Sequence, residues 1–134
     1  MRKTLRALLL ALLALATTLI FSCSASVSIS DRLTQFVTSL NGSMTDTYTH
    51  TDPNAAWYAA ALASSFWSAA FLQTRPLAIA SMDTSNPSAV TVQLSSNGTP
   101  YTPTYTFVMV NKKELFSDNW LVSQIVWGST TIFQ

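Results

Sequence analysis

Two apolar periodicities divide the chain near Pro76. Upstream of it, apolar residues recur every three or four positions, which is the spacing of one face of an α-helix. The first such stripe predicts a helix with Ser30 or Asp31 as its N-cap and Asn41-Gly42 at its end. Its apolar positions are Leu33, Phe36, Val37 and Leu40. The polar stretch 43–51 that follows predicts one or two loose helical turns.

A second and longer helix is predicted from Asp52-Pro53 to Phe71. Asp is a favoured N-cap, and Pro fits the first helical position. The alanine-rich segment behind them has high helix propensity. Apolar side chains lie on nearly every side of this helix, so we expect it to be largely buried.

Downstream of Pro76 the apolar period becomes two, as in half-buried strands. Four strands are predicted, and the tail 129–134 either extends or pairs with the last of them. Asn97-Gly98 predicts a tight hairpin connection. The first three strands carry Leu77 and Ile79, then Val90, Val92 and Leu94, then Tyr105, Phe107 and Met109. In the fourth, Trp120, Val122, Gln124 and Val126 are predicted to share one face.

Helices followed by hairpin-linked strands are the pattern of an α+β domain with an antiparallel sheet. The segments "FWSAAF" (66–71) and "YTFVMVNKKELFSDNWLVSQIVW" (105–127) resemble the nuclear transport factor 2-like (cystatin-like) fold, over about Ser30 to Trp127. The resemblance implies a cone of curved sheet, of about four to six strands, with the N-terminal helices packed in its concave face. That divergent family includes isomerases, dehydratases and binding modules, so the fold does not decide the function.

The amino terminus has the composition of an export signal. Arg2, Lys3 and Arg6 precede a run of 15 residues, from Ala7 to Phe21, in which only two threonines are polar. A membrane-spanning helix needs about 20 apolar residues, so this shorter run behind a basic flank predicts a cleaved secretory signal. An uncleaved membrane anchor is the alternative.

Cys23, the only cysteine, lies two residues after the end of that run. The sequence Ile20-Phe21-Ser22-Cys23 resembles the bacterial lipobox, in which an aliphatic residue at −3 and a small residue at −1 precede a cysteine. The resemblance implies cleavage before Cys23, a diacylglycerol on its sulfur and acylation of the new amino group. The chain then divides into a signal peptide (1–22), a tether (23–29) and a folded domain (30–134). Ordinary signal-peptidase cleavage nearby is the alternative, although it would leave a lone cysteine without a disulfide partner.

The charge of the exported part argues against nucleic acid as a partner. From residue 23 onward, four Lys and Arg residues stand against six Asp and Glu residues, a net charge of −2 with histidine neutral. No basic patch is available to neutralise several phosphates. Ser24, rather than Asp, follows Cys23, so the inner-membrane retention signal of one group of bacteria is absent and an outer membrane is favoured.

Few residues of the exported part can carry chemistry. A zinc site needs three or four Cys, His or carboxylate ligands, and no such cluster is present, so no metal and no cofactor is predicted. Asp46 and His50, the only histidine, lie four residues apart and would share one face of a helical turn. Such a pair could use the imidazole as a general base. A solvated polar turn is the alternative.

The cone implied by the resemblance would enclose an apolar cavity. Aromatic walls suit a small apolar or amphipathic ligand, while a filled core without a cavity is the alternative. The candidate lining residues are Trp57, Phe66, Trp67, Tyr105, Phe107, Trp120 and Trp127.

Two hypotheses of different class follow from these patterns. The first is a non-enzymatic domain of the cell envelope, anchored to a membrane through lipid on Cys23, which binds a small apolar ligand or an envelope protein. The second is a small enzyme of the isomerase or dehydratase type that uses Asp46 and His50.

Overall fold

The computed structural model describes residues 25–55, 74–102, 104–114 and 117–133. The signal sequence and Cys23 lie outside the described residues. The helix predicted from Asp52-Pro53 to Phe71 lies almost wholly outside them as well, together with Trp57, Phe66 and Trp67.

Helix α1 spans Ile29–Leu40, as the apolar stripe predicts. Its N-cap is Ser28, not Ser30 or Asp31, because Ser28 has an extended backbone and its Oγ accepts a hydrogen bond from the Asp31 amide at 3.1 Å. Ser28, Ser30 and Asp31 can each cap a helix, and the helix begins after the first of these three. Helix α2 spans Met44–Tyr48, which matches the predicted loose turns, and Ser43 caps it in the same way.

In the described part of the chain, six strands follow these two helices. They are β1 (Leu77–Asp83), β2 (Val90–Ser96), the two-residue β3 (Thr99–Pro100), β4 (Tyr105–Asn111), β5 (Trp120–Trp127) and β6 (Thr130–Phe133). A short 3₁₀ turn, Pro87–Ala89, leads into β2. The four predicted strands are therefore confirmed, and the tail pairs with β5 rather than extending it.

The strands form one curved antiparallel sheet in the order β1-β2-β4-β5-β6, with β3 paired to β2. Asn97 and Gly98 connect β2 to β3 with φ angles of 49° and 78°. Positive φ at both central residues is the geometry of the tight hairpin turn that Asn-Gly favours. The α+β class with a curved antiparallel sheet is thus as predicted.

The face of β5 differs from the predicted alternation because the strand contains a bulge. Met109 on β4 lies opposite Val122, and Val108 lies opposite Gln124, so Ser123 is an extra residue in β5. Beyond the bulge the inward positions move by one residue. Ile125 therefore lies on the buried face with Val122, whereas Val126, which was predicted to share the face of Val122, is only half-buried.

The core lies between α1 and one face of the sheet. The phenyl rings of Phe36 on α1 and Phe107 on β4 meet edge to face, with centroids 5.9 Å apart. Edge-to-face pairs add stability beyond their buried area. The other fully buried apolar side chains in this layer are Leu33, Leu40, Val90, Val92, Leu94, Val122 and Ile125.

The chain before α1 belongs to the sheet end at which β5 starts. The Val27 amide donates to the Asp118 carbonyl at 3.0 Å, and the Asp118 amide donates to Ser26 Oγ at 2.7 Å. Val27 forms a parallel bridge with Asn119. The folded structure therefore starts at Ser26, inside the range predicted as a tether. Among the described residues, no helix has the length and apolar character needed to cross a membrane.

Candidate functional site

Arg32 is a buried cation near the start of α1, with only 9% of its surface exposed. Its guanidinium donates hydrogen bonds to three side chains from three parts of the chain. The acceptors are Gln35 Oε1 at 3.1 Å, His50 Nδ1 at 2.7 Å and Asn119 Oδ1 at 2.9 Å. Arg32 therefore joins α1 to the segment after α2 and to the residue before β5.

Among the described residues, no carboxylate forms an ion pair with this guanidinium. All six acidic residues of the chain lie in the described part, where one ion pair forms, between Lys112 Nζ and Asp52 Oδ1 at 3.4 Å. Arg32 Nε is buried and has no hydrogen-bond partner among the described residues. Burial also lowers the pKa of Arg32, although a guanidinium stays charged at any ordinary pH. A buried charge paired only with neutral acceptors is costly and therefore unusual.

The contact extends through Asn119 into the connection between β4 and β5. The Asn119 side-chain amide donates to Glu114 Oε1 at 3.1 Å, and its backbone amide donates to Asn111 Oδ1 at 3.2 Å. Asn111 in turn donates to Asp118 Oδ1 at 2.7 Å. These polar side chains fix the end of the sheet that also holds Ser26 and Val27.

His50 is placed by the sheet as well as by Arg32. The Val122 amide donates to the His50 carbonyl at 3.0 Å, and the Asp52 amide donates to the Val122 carbonyl at 2.8 Å. Because a guanidinium can only donate, Nδ1 of His50 must accept, and the proton of the neutral ring lies on Nε2. Burial and the neighbouring Arg32 charge lower the pKa of His50, while Asp46 acts in the opposite direction.

Asp46 and His50 line one groove, but each has a different hydrogen-bond partner. Asp46 Oδ2 accepts from Ser43 Oγ at 2.8 Å, as part of the cap of α2. Within the described part of the chain, no hydrogen bond joins Asp46 to His50. The open groove beside them has a volume of about 420 Å³ and is also lined by Thr34, Gln35, Thr38, Ser39 and Gly42.

A second groove runs between α1 and the edge strand β1, with a volume of about 490 Å³. Val37 on α1 and Leu77, Ile79 and Met82 on β1 give it a largely apolar lining. None of the described residues that line this groove is ionisable, and its apolar lining can accept apolar surface.

The structure separates the predicted aromatic lining residues by depth. Tyr105 and Phe107 are buried in the core, and Trp120 is half-buried against it. Trp127 is the exposed member, with 44% of its surface accessible, and it stacks on Tyr105 with centroids 6.4 Å apart. Burial raises the pKa of the Tyr105 hydroxyl. Trp57, Phe66 and Trp67 lie outside the described residues, so the complete cavity stays a prediction.

Sequence reasoning missed Arg32 and Asn119. One signal could have found Arg32, because it lies four residues before Phe36 and next to Leu33, on the apolar face of its helix. A cation on that face needs partners in the interior. Asn119 carried no such signal, since its contact with Arg32 spans 87 residues.

Among the described residues, no group of three His, Cys, Asp or Glu side chains could hold a metal ion. Compared with known proteins, the chain matches no family profile, no curated relative and no solved structure. Its function therefore has to be argued from its own residues.

Proposed function

We propose that this chain is a bacterial lipoprotein, anchored through Cys23, whose exported domain acts by binding rather than by catalysis. The observation that carries the choice of binding is the contact between Arg32 and His50. This contact occupies Nδ1 of His50, which is the atom that Asp46 would have to bind in order to orient the imidazole ring for catalysis. The only histidine of the chain thus serves to hold helices and sheet together.

The anchor rests on the lipobox-like sequence ending at Cys23 and on the apolar run before it. A single acyl chain gives only marginal membrane binding, whereas a diacylated and N-acylated cysteine supplies the two or more signals that stable anchoring needs. The protein would then be held at the cell envelope without a spanning helix, on the outer membrane where the organism has one.

We further propose that the curved sheet and its helices form a cone of the nuclear transport factor 2-like type. A helix packed across a curved antiparallel sheet, with aromatic residues on the covered face, supports it. The stacked pair of Tyr105 and Trp127 lies at one end of that face and leaves the indole exposed. This end is the proposed place for a small apolar ligand or an apolar side chain of an envelope partner, since aromatic residues dominate such contacts.

The enzyme hypothesis keeps one supporting observation. Asp46 and His50 line the same open groove, where a small substrate could reach both side chains. For His50 to act as a base through Nε2, the ring would have to lose the proton that the Arg32 contact places there. A catalysed reaction abolished by His50→Gln, in a variant that still folds, would favour the enzyme over the binding domain.

Membrane fractionation tests the proposed function. We expect the wild-type protein to stay with membranes after a high-salt wash and to be released by detergent, because acyl chains and not charges hold it. Cys23→Ser should lose this retention. Ser22→Ala is the matched control, since it keeps a small residue at −1 and should be retained like the wild type. A Cys23→Ser protein that has lost residues 1–22 and is still retained as firmly as the wild type would contradict the proposal.

A further inference from the structure

The start of the folded domain lies very close to the predicted lipid. Ser26 is three residues after Cys23 and is already hydrogen-bonded to the Asp118 amide. Three residues of fully extended chain span at most about 11 Å. Ser26 therefore cannot lie further than this from a lipid-modified Cys23, and Val27 and Asp118 are held next to Ser26.

We propose that one end of the sheet, here called the proximal end and formed by Val27, Lys113, Glu114 and Asp118, lies against the bilayer that holds the anchor. The opposite end, which carries Trp127 and the turn at Ser129, then points away from the membrane toward partners. This orientation rests on the proposed function, because it requires the lipid on Cys23.

The two ends are separated by the full length of the sheet. From Trp120 to Trp127, β5 rises by about 23 Å away from the proximal end. Helix α1 runs the same way, since it starts after Val27 and its C-cap Asn41 exchanges two hydrogen bonds with the backbone of Leu77, at 2.7 and 2.8 Å. Leu77 pairs with Ser96, beyond the level of Trp127. The rigid body is therefore long in the direction away from the tether.

Charge does not draw the proximal end to the membrane. Lys112 forms an ion pair with the buried Asp52, so its charge is already neutralised. The positive charge of Lys113 is outnumbered by the negative charges of Glu114 and Asp118, and the proximal end therefore has a net negative charge. Anionic headgroups would repel it. The short tether alone imposes the orientation, which means that a longer tether should release it.

Short-range quenching in vesicles tests this orientation on the mature, acylated protein. A cysteine is introduced at the exposed Lys113 or at the exposed Ser129 and labelled with bimane maleimide, then the protein is reconstituted in phosphatidylethanolamine and phosphatidylglycerol vesicles containing nitroxide-headgroup lipid. We expect the Lys113→Cys probe to be quenched several-fold more than the Ser129→Cys probe. Equal quenching, or stronger quenching at Ser129→Cys, would overturn the orientation.

Two controls separate failure of the orientation from failure of the anchor. The protein without an added cysteine should take up no bimane, because the sulfur of Cys23 is already in a thioether; labelling of it would overturn the proposed function, and the orientation with it. A long Gly/Ser insertion between Ser24 and Ala25 should abolish the difference between the two probes while the protein stays on the vesicles. A difference that survives the insertion would show that the tether does not set the orientation.

Discussion

The guanidinium of Arg32 donates a hydrogen bond to Nδ1 of His50 across 2.7 Å, so the only histidine of the chain has one ring nitrogen occupied by a buried cation. This contact links α1 to the segment that follows α2, 18 residues later. It also fixes the imidazole as neutral, with its remaining proton on Nε2.

The first prediction concerns pH. Because the folded pKa of His50 is lowered, the unfolded chain binds more protons than the folded one below the unfolded value of about 6.5. The contribution of His50 to the free energy of unfolding should therefore be fully present above about pH 6.5. It should be lost progressively as the pH falls below that value. Urea unfolding at several pH values measures it. The matched variant His50→Gln keeps an acceptor for Arg32 but cannot titrate, so its stability should fall less; parallel curves for both proteins would contradict this assignment.

The second prediction concerns the fork of hydrogen bonds made by Arg32. A lysine at this position has one ammonium group and cannot reach both His50 and Asn119 in the same geometry. Arg32→Lys should lower the free energy of unfolding by about 1–3 kcal/mol. Arg75→Lys is the control, because Arg75 is exposed and donates to the Leu40 carbonyl at a longer 3.3 Å. If both substitutions lowered the free energy of unfolding by the same amount, the paired hydrogen bonds of the buried guanidinium would not stabilise the fold.

The third prediction separates core from surface among the aromatic residues. Phe107 is 1% exposed and packs on Phe36, so Phe107→Ala should cost about 3–5 kcal/mol. Trp127 is 44% exposed, and Trp127→Ala should cost only the stacking on Tyr105, about 1 kcal/mol. Denaturant unfolding compares the two. If Trp127→Ala lowered the free energy of unfolding as much as Phe107→Ala, the indole of Trp127 would have to be buried in solution, which would contradict this assignment.

Elements with a local signal were predictable from the sequence. Helix α1 follows from an apolar stripe, and the strands follow from alternation and from Asn97-Gly98. The face of the second half of β5 was not predictable, because the bulge at Ser123 shifts every later residue and leaves no mark in the local pattern. The contact of Arg32 with Asn119 was not predictable either, since the two residues are 87 positions apart and only the tertiary fold brings them together.

The fourth prediction tests the hairpin turn. Gly98 has a φ of +78°, and a side chain there would strain the backbone by about 1–2 kcal/mol, although no atom lies close enough to clash. Gly42 is the matched glycine. A Cβ there would meet Ser39 O at 3.5 Å, an ordinary contact, and its φ is not positive. Gly98→Ala should therefore destabilise the protein more than Gly42→Ala in the same unfolding assay; the reverse order would contradict the turn geometry.

The central claim is the lipid on Cys23, and the mass of the mature amino terminus tests it most directly. Protein extracted from membranes with detergent is digested, and its N-terminal peptide is analysed by mass spectrometry. We expect residues 1–22 to be absent and the peptide to start at Cys23. Its sulfur should carry a diacylglyceryl group, and its amino group should carry an acyl group. An unmodified Cys23, a start at Ser24 or later, or a retained signal sequence would contradict it.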